Sequence, residues 1–401
     1  MPDGARIAER LEALWAIAHG PGGGADRPAF SSAEAAAMTL VAGWAAAEGL
    51  EAALDTHGNL WALPAGWDGP LVTSGSHVDT VPDGGRHDGA LGTVLALELA
   101  HELREGTAGG ARPALLVCVA EEAPRFGAGT VGSRLLAGTL APAALDGMLD
   151  AGGVSATSAR ASYLRELSAL PRLDEPPLAR VRAHVEIHVA QRRALDRLGV
   201  VQRVAAPRRA RIELTGEAGH AGEVPMQLRR DALAAAAEVI LAIERIARGE
   251  PPETVATVGT IEISPGAVSV IPGRVTLGLD VRGVDRDSLE RVETAVQGAT
   301  AEVAERRGVA VRHETLRGGD PVALDPQLVA DALAAAAARE IPAEPTWSGA
   351  GHDAQHLAAL FPALLLFVPL RGGESHTPFE DADPGDIERA ALVARDVLAT
   401  R

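Results

Sequence analysis

The chain has 401 residues, more than one ordinary hydrophobic core accommodates, so we expect two domains. Its formal net charge of −17 argues against a nucleic-acid partner or an anionic membrane surface. The single cysteine, Cys118, cannot form an internal disulfide and is expected to be an inert core thiol. We find no signal-peptide pattern and no alanine-rich helix apolar enough to cross a bilayer, so a cytoplasmic location is expected.

The first informative stretch joins a short apolar strand, residues 70–73, to an apolar helix, residues 90–103. His77 stands at the end of the predicted strand, Asp79 follows two residues later, and Asp88 ends a glycine-rich loop. If the chain stays extended, His77 and Asp79 point the same way, so the carboxylate can fix the tautomer of the imidazole. The alternative is a plain turn rich in Gly, Asp and His.

The second stretch is a continuous apolar run, residues 114–120, followed by Glu121 and Glu122. Such a run predicts a central strand buried on both faces. Active sites of α/β sheets lie at the carboxyl ends of strands. Adjacent strand residues face opposite ways, so one glutamate is expected to bind metal and the other to act as a general base. The alternative is an acidic pair that ends a strand in solvent.

Three histidines and two carboxylates in such stretches are the strongest chemical signal: His77, Asp88, Glu122, His188 and His376. Imidazole and carboxylate suit divalent zinc, manganese, cobalt or nickel. The set is larger than one catalytic zinc needs, but it fits two metal ions that share a carboxylate. Paired metals are typical of hydrolases, where one activates water and the other polarises a carbonyl.

Strands and helices alternate up to about residue 206, which predicts an α/β fold with a mixed, largely parallel sheet flanked by helices. A small inserted α+β sandwich is predicted next: strand 209–215, helix 226–248, strands 254–263 and 274–281, and helix 287–307. The chain must then return, because His376 belongs with the first ligands. We therefore predict a catalytic domain of residues 1–207 and 320–401, interrupted by a domain of residues 208–319.

Taken together, the motifs resemble the M20 peptidase superfamily. Within it, they resemble the branch of N-carbamoyl-L-amino-acid hydrolases, β-ureidopropionases and allantoate amidohydrolases, the hydantoinase/carbamoylase amidases. The matching stretches, in order along nearly the whole chain, are residues 55–60, 75–92, 121–126, 186–191, 216–231, 265–282, 348–354 and 372–377. The resemblance implies a zinc-peptidase-like catalytic domain whose insertion acts as a lid and dimerisation domain.

The resemblance also implies how the ligands are shared. Asp88 would bridge both metals, His77 and His188 would complete one, and Glu122 and His376 would complete the other. It thus implies two divalent ions per chain, zinc or manganese, with cobalt and nickel as alternatives.

Further roles follow from the same resemblance. Glu121 would be the general base, and Asp79 would orient the neighbouring histidine ligand. His220 would reach into the partner subunit's site of a homodimer and steady an oxyanion. The peptide between Asp88 and Gly89 is expected to be strained or cis.

The substrate contacts are implied in the same way. Arg282 would grip the substrate carboxylate, Gln191 would line the substrate pocket, and His352 lies in a family-like loop that would shape it. His184 lies four residues before a predicted ligand and is expected to be a core histidine, with a role behind that ligand as the alternative.

Four positions depart from the family pattern. Ala190 and Arg192 stand where the family has an acid and a glycine, Ser269 where it has an asparagine, and Glu223 where it has a threonine. A serine reaches less far than an asparagine and lacks its amide group. We therefore predict intact chemistry with altered substrate preference.

The leading hypothesis is a dinuclear metal-dependent amidohydrolase that cleaves a linear C–N amide or ureido bond of an N-carbamoyl-amino-acid-like or ureido acid substrate. One alternative is an aminoacylase-like amidase acting on an N-acyl or biosynthetic substrate. Another is a dimeric binding protein that kept the fold but lost turnover.

Overall fold

Residues 2–191 and 195–401 are described by this computed structural model of the chain. The chain divides into two units. The first comprises Met1–Gln202, Ala323–Thr346 and Ala350–Arg401, and the second comprises Arg203–Val322 and Trp347–Gly349.

The helices of the described residues are α1 Gly4–Trp15, α2 Ser32–Ala47, α3 Ala90–Glu102, α4 Val131–Leu136, α5 Ala156–Glu166, α6 Ala232–Arg248, α7 Arg286–Arg307, α8 Pro326–Ala338, α9 Asp353–Leu357 and α10 Pro384–Ala399. The strands are β1 Leu50–Leu54, β2 Leu60–Pro64, β3 Leu71–Ser74, β4 Arg112–Val117, β5 Val181–Val189, β6 Leu198–Val204, β7 Ala206–Thr215, β8 Gly219–His220, β9 Val255–Ser264, β10 Val270–Ile271, β11 Arg274–Gly283, β12 Ala310–Arg317, β13 Val322–Ala323, β14 Ala343–Ser348 and β15 Ala363–Val368. Short 3-10 turns occur at Pro142–Gly147, Leu178–Arg180, Met226–Leu228 and Arg371–Gly373.

One large mixed sheet has the order β1-β2-β4-β3-β5-β15-β6-β13, with β14 paired to β6. Its four central strands, β4, β3, β5 and β15, run parallel, whereas β2 and β6 flank them in antiparallel pairs. Every residue of β3 and β15 is buried, because helices cover the sheet. The carboxyl ends of the four parallel strands therefore lie along one edge of the sheet.

Helix α3 packs closely on the centre of the sheet. A Cβ atom at Gly92 would lie 2.0 Å from the carbonyl oxygen of Ile187 in β5, so only glycine allows this approach. The segment immediately before α3 is thereby held beside the end of β5.

The second unit contains the antiparallel sheet β12-β7-β11-β9. Alternate residues of β11 are buried under α6 and α7, as expected for a sheet with one covered face. The predicted helix at 226–248 begins only at Ala232, because the Asp231 carboxylate caps it by accepting the N–H groups of Leu233 and Ala234. Strand β12 was not predicted, because it is an edge strand with a polar sequence.

The predicted fold class is confirmed: a mixed, largely parallel sheet flanked by helices, with a separate antiparallel α+β unit. The role of that unit as a lid and dimerisation domain stays a prediction. In the part of the chain that the structure describes, no helix is both long and apolar enough to cross a membrane.

Candidate metal centre and active site

The parallel sheet brings the predicted metal ligands to one edge. His77 follows β3, Asp88 precedes α3, Glu122 follows β4, His188 is near the end of β5, and His376 follows β15. The ligand atoms of His77, Asp88 and His188 lie within 4.8 Å of one another, and so do those of Asp88, Glu122 and His376. Asp88 belongs to both groups.

Asp88 uses a different oxygen toward each group. Its Oδ1 lies 3.1 Å from Nε2 of His188 and 3.5 Å from Nε2 of His77. Its Oδ2 lies 3.0 Å from Nε2 of His376, which is also 3.6 Å from Oε1 of Glu122. A carboxylate placed in this way can bind two cations at once.

Both buried histidines turn the same ring nitrogen toward Asp88. The Nε2 atoms of His77 and His188 are only 3.3 Å apart. Nδ1 of His77 faces Asp79, 3.1 Å from its carbonyl oxygen and 3.4 Å from its carboxylate, and Nδ1 of His188 lies 3.2 Å from the Val189 carbonyl. Hydrogen bonds at Nδ1 leave Nε2 as the ligand atom, as in many metal-binding histidines.

The ionisation of the cluster reflects the crowding of its charges. Burial would raise the pKa of Asp88, but His188, His376 and His77 hold it well below its usual range. Burial, and next the charge of Asp88, raise the pKa of Glu122 to about 7. The hydrogen bond with Asp88 raises the pKa of His376 to about 9. Imidazoles and carboxylates packed this closely fit a pair of divalent metal ions.

The segment that carries the two glutamates differs from the prediction. Strand β4 ends at Val117, and Ala120 has a left-handed backbone with φ of 55°. As a result Glu121 and Glu122 do not face opposite ways. Oε2 of Glu121 lies 3.8 Å from Nε2 of His77, while Glu122 faces His376, so both carboxylates point into the cluster.

We call residues 118–122 the glutamate loop. Its five successive N–H groups all have acceptors: Cys118 to the Ser76 carbonyl at 2.8 Å, Val119 to Asn59 Oδ1 at 3.1 Å, Ala120 to Glu34 Oε1 at 2.8 Å, Glu121 to Asp79 Oδ1 at 3.0 Å and Glu122 to Asp79 Oδ2 at 2.9 Å. On the other side, the carbonyl groups of residues 119–121 accept the N–H groups of residues 132, 131 and 130. The left-handed turn at Ala120 is therefore held by surrounding structure rather than by its own preference.

Asp79 has a wider role than the sequence predicted. It faces His77, as expected, and it also accepts the N–H groups of both Glu121 and Glu122. Sequence reasoning missed Glu34 entirely, because it lies in an alanine-rich helix without a recognisable motif. Asn59 lies in the family-like segment 55–60, and that segment was the only signal for it.

Gln191 and His352 both lie at the cluster. Nε2 of Gln191 donates to Oδ2 of Asp88 at 3.3 Å and lies 3.2 Å from Nε2 of His376. The buried ring of His352 packs edge-on against that of His188, with centroids 4.6 Å apart. Burial, and next the charge of His188, lower the pKa of His352 well below its usual range, so it is a neutral neighbour.

One departure from the family pattern, Ala190, follows the ligand His188 by two residues. The N–H group of Ala190 donates to the Val368 carbonyl at 2.8 Å, which continues the pairing of β5 and β15. Arg192 lies outside the described residues. His184 contacts Thr73 at 3.0 Å in the core, and burial lowers its pKa to about 3.

The remaining predicted site residues belong to the second unit. His220 is exposed in β8, and its neighbour Ala221 donates to the Ser269 carbonyl at 2.9 Å. Arg282 lies on β11, where its Nε donates to Asp280 Oδ1 at 2.9 Å. Glu223 is exposed. Within this unit, His220 and Ser269 are neighbours, whereas Arg282 lies on a different sheet.

Of the two expectations for the peptide between Asp88 and Gly89, strained or cis, the cis bond is wrong. Among the described residues, Ser264–Pro265 alone has a cis bond. Gly89 instead has a φ of 66°, and a Cβ atom there would lie 2.4 Å from the ring of His77. The glycine therefore allows both the positive φ and the close approach of the imidazole.

A cavity of about 660 Å³ lies beside Glu122 in the first unit. Apolar side chains such as Phe30, Pro82 and Val154 line it, together with Ser162 of α5. Among the described residues, the one cationic side chain in its wall is Arg125, whose guanidinium pairs with Asp150 at 3.2 Å. The carboxylates of Glu122 and Glu166 also line the cavity, so its described wall favours an uncharged group over an anionic one.

Comparison with known proteins agrees with this site. Residues 73–400 match the model of peptidase family M20/M25/M40. The chain is 36% identical, over 95% of its length and 94% of the relative's, to an N-carbamoyl-L-amino acid amidohydrolase of Geobacillus stearothermophilus. It is 32% identical to an allantoate amidohydrolase of Bacillus subtilis, over 87% of this chain and 86% of that one.

Among solved structures, a hydantoinase/carbamoylase family amidase from Burkholderia multivorans superposes with a TM-score of 0.88 at 32% identity, over 100% of this chain and 98% of that one. The chain belongs to the M20/M25/M40 peptidase family, in the branch that contains the hydantoinase/carbamoylase amidases.

Proposed function

We propose that the chain is a dinuclear metal-dependent amidohydrolase that cleaves a linear C–N bond of an N-carbamoyl-amino-acid-like or ureido acid substrate. The observation that carries the proposal is the pair of ligand groups that share Asp88, with Glu121 beside them. The named relatives support the class of bond.

The metal ions would be zinc or manganese, two per chain. His77 and His188 would hold one, Glu122 and His376 the other, and Asp88 both. When bound, such ions polarise the scissile carbonyl group and make water more acidic. Elemental analysis of the metal-replete protein should find about two ions per chain, and saturation at one would contradict the shared-carboxylate arrangement.

Glu121 would transfer the proton. Its carboxylate is nearly buried, and burial raises the pKa of Glu121 well above its usual range, which makes it a better base than an exposed glutamate. It would accept a proton from the attacking water and return it to the leaving nitrogen. For an N-carbamoyl amino acid, one water is consumed, and the products are the amino acid, ammonia and carbon dioxide.

Substrate recognition would be divided between charged and uncharged groups. We propose that Arg282 grips the carboxylate, with Ser269 as a weaker second donor, and that Gln191 contacts the reacting end. His352 would shape the pocket by fixing the ring of His188. The uncharged side chain of the substrate would enter the cavity beside Glu122, because its described wall is largely apolar and the cation there, Arg125, is already paired with Asp150.

We also propose a homodimer, in which His220 steadies the oxyanion in the neighbouring subunit's site. Strand β9 is an edge strand, and its apolar side chains Val255, Ile261 and Ile263 are exposed. An unpaired edge with apolar side chains favours association with a second copy. A cytoplasmic location is proposed from the composition and the single cysteine.

One experiment tests the activity directly. Zinc- or manganese-loaded protein is incubated with a panel of N-carbamoyl amino acids, ureido acids and N-acetyl amino acids, and ammonia and free amino acid are measured. We expect ammonia release from the ureido compounds only. Turnover of the acetyl compounds alone would instead indicate an aminoacylase, and metal binding without turnover of any of them would indicate a binding protein.

A further inference from the structure

One buried carboxylate joins the loop that carries His376 to the loop that carries Asp88. Oε1 of Glu380 accepts the N–H groups of His87 at 2.7 Å and of Asp88 at 2.9 Å. Glu380 is only 5% exposed and stands 293 positions along the chain from His87. The same side chain therefore ties together two distant segments that each supply a metal ligand.

The second oxygen of Glu380 extends the connection to the side chain of Asp88. Its Oε2 lies 2.9 Å from the hydroxyl oxygen of Ser375, which is also 3.2 Å from Oδ2 of Asp88. Ser375 immediately precedes His376. Glu380 therefore acts on the backbone of Asp88 directly and on its carboxylate through one hydroxyl group.

The surrounding chain leaves room for this carboxylate. A Cβ atom at Gly85 would lie 2.2 Å from Oε1 of Glu380, so a larger residue would displace this carboxylate from its hydrogen-bond partners. The ring of His87 is close by, but its Nδ1 is 3.9 Å from Oε1 of Glu380, beyond hydrogen-bond distance. A buried carboxylate beside another carboxylate is unfavourable unless hydrogen bonds to it compensate, so its hydrogen bonds to the Asp88 loop account for its position.

We propose that Glu380 is a positioning residue for the metal centre: it holds Asp88 and His376 at the spacing at which both bind the metal ion that they share. This inference rests on the metal centre of the proposed function, but not on the identity of the substrate. Partners of metal ligands typically change metal affinity about 10- to 100-fold when they are removed.

The test measures metal affinity and not turnover. Zinc and manganese affinities of the apo-protein are determined by competition with a chelator, for wild type, Glu380→Ala, Glu380→Gln and the exposed control Glu388→Ala on α10. We expect Glu380→Ala to bind the metals about 10- to 100-fold more weakly. Glu388→Ala should match wild type.

Glu380→Gln distinguishes positioning from bulk stability. The glutamine keeps one oxygen that can accept both N–H groups, and its amide can donate to Ser375, whose hydrogen then turns to Asp88. We expect it to recover most of the wild-type affinity. Wild-type affinity in Glu380→Ala, or an equal loss in Glu388→Ala, would overturn the proposal.

If Glu380→Ala does not fold, a second variant, Ser375→Ala, tests the proposal. Ser375→Ala keeps the two backbone hydrogen bonds and removes only the link to the Asp88 carboxylate, so a loss of affinity smaller than about tenfold is expected, without a change in the apo-protein's melting temperature. Unchanged affinity in Ser375→Ala, with Glu380→Ala unfolded, would reduce Glu380 to a structural residue and reject the proposal. Tight metal binding by a wild type that hydrolyses no ureido compound would refute the proposed function while leaving this inference standing.

Discussion

The glutamate loop and the β8–β10 region of the second unit, residues 219–223 and 269–271, differ in burial and in hydrogen bonding. In the glutamate loop every N–H group has an acceptor, and its two carboxylates are nearly buried. In the β8–β10 region, His220 and Ser269 are exposed. The two strands there pair over only two residues each, and Ser269 immediately precedes the second strand. The carboxylates proposed for metal binding and proton transfer are thus held by buried hydrogen bonds, whereas His220 and Ser269 lie on an exposed surface.

Two of the departures from the family pattern, Ser269 and Glu223, lie at exposed positions of the second unit, whereas Ala190 is buried beside His188. The proposed metal ligands and Glu121 keep the residue types of the family. Substitutions on an exposed surface cost little stability, whereas a change among buried hydrogen-bonded groups costs several times more. The following experiments compare the two regions.

The largest effect is expected in the glutamate loop. Glu121→Gln should lower kcat by at least about a hundredfold, the usual size of a positioned acid–base effect, while metal content stays near wild type. Glu122→Gln should instead weaken metal binding, because the amide is a poorer ligand than the carboxylate. Measurement of metal content and kcat for both variants checks the assignment. If Glu121→Gln loses metal and Glu122→Gln loses only turnover, the roles of the two glutamates are the reverse of those proposed.

A smaller effect is expected from the exposed region. Ser269→Asn restores the longer amide beside the proposed carboxylate site and should raise kcat/KM on N-carbamoyl-L-amino acids roughly tenfold to a hundredfold, since one hydrogen bond to a charged group contributes about 1.5–3 kcal/mol. N-carbamoylated amines, which lack the carboxylate, are the control and should not respond. If wild type already prefers ordinary carbamoyl amino acids and the asparagine changes nothing, these departures did not shift specificity.

Subunit mixing tests where His220 acts. Inactive His220→Ala and inactive Glu121→Gln proteins are mixed, and subunit exchange is verified by mass spectrometry. Half of the dimers are then hybrids with one intact site each, so activity should return to about a quarter of wild type. Activity that stays at the level of the parents after complete exchange would place His220 in its own subunit's site or outside catalysis.

The smallest effect concerns the cavity beside Glu122. Ser162→Phe on its wall should lower kcat/KM about tenfold for N-carbamoyl amino acids with large apolar side chains, because a pocket contact typically contributes 1–3 kcal/mol. N-carbamoylglycine should be unaffected. The control Ala161→Phe introduces the same ring at an exposed position of α5 outside the cavity. Equal losses for glycine and large substrates would remove the cavity from substrate binding.

Much of the fold and the ligand set could be predicted from local patterns. Buried strands are visible in the sequence as apolar runs. Glycine-rich turns at the ends of these runs predicted where His77 and Asp88 would lie. The direction of Glu121 could not be predicted, because a left-handed residue at Ala120 overrides strand alternation. Glu34 and Glu380 were missed, since their roles depend on contacts with residues 86 and 293 positions away, which no local pattern encodes.

The acceptors of the glutamate loop come from four residues, Glu34, Asn59, Ser76 and Asp79, on separate segments of the first unit. Because several residues hold the loop, the loss of one of them is expected to leave its backbone conformation unchanged. A mutation among these residues then lowers the free energy of unfolding before it displaces Glu121. Substitutions at exposed positions such as Ser269 can therefore accumulate over evolutionary time while Glu121 keeps its place beside His77.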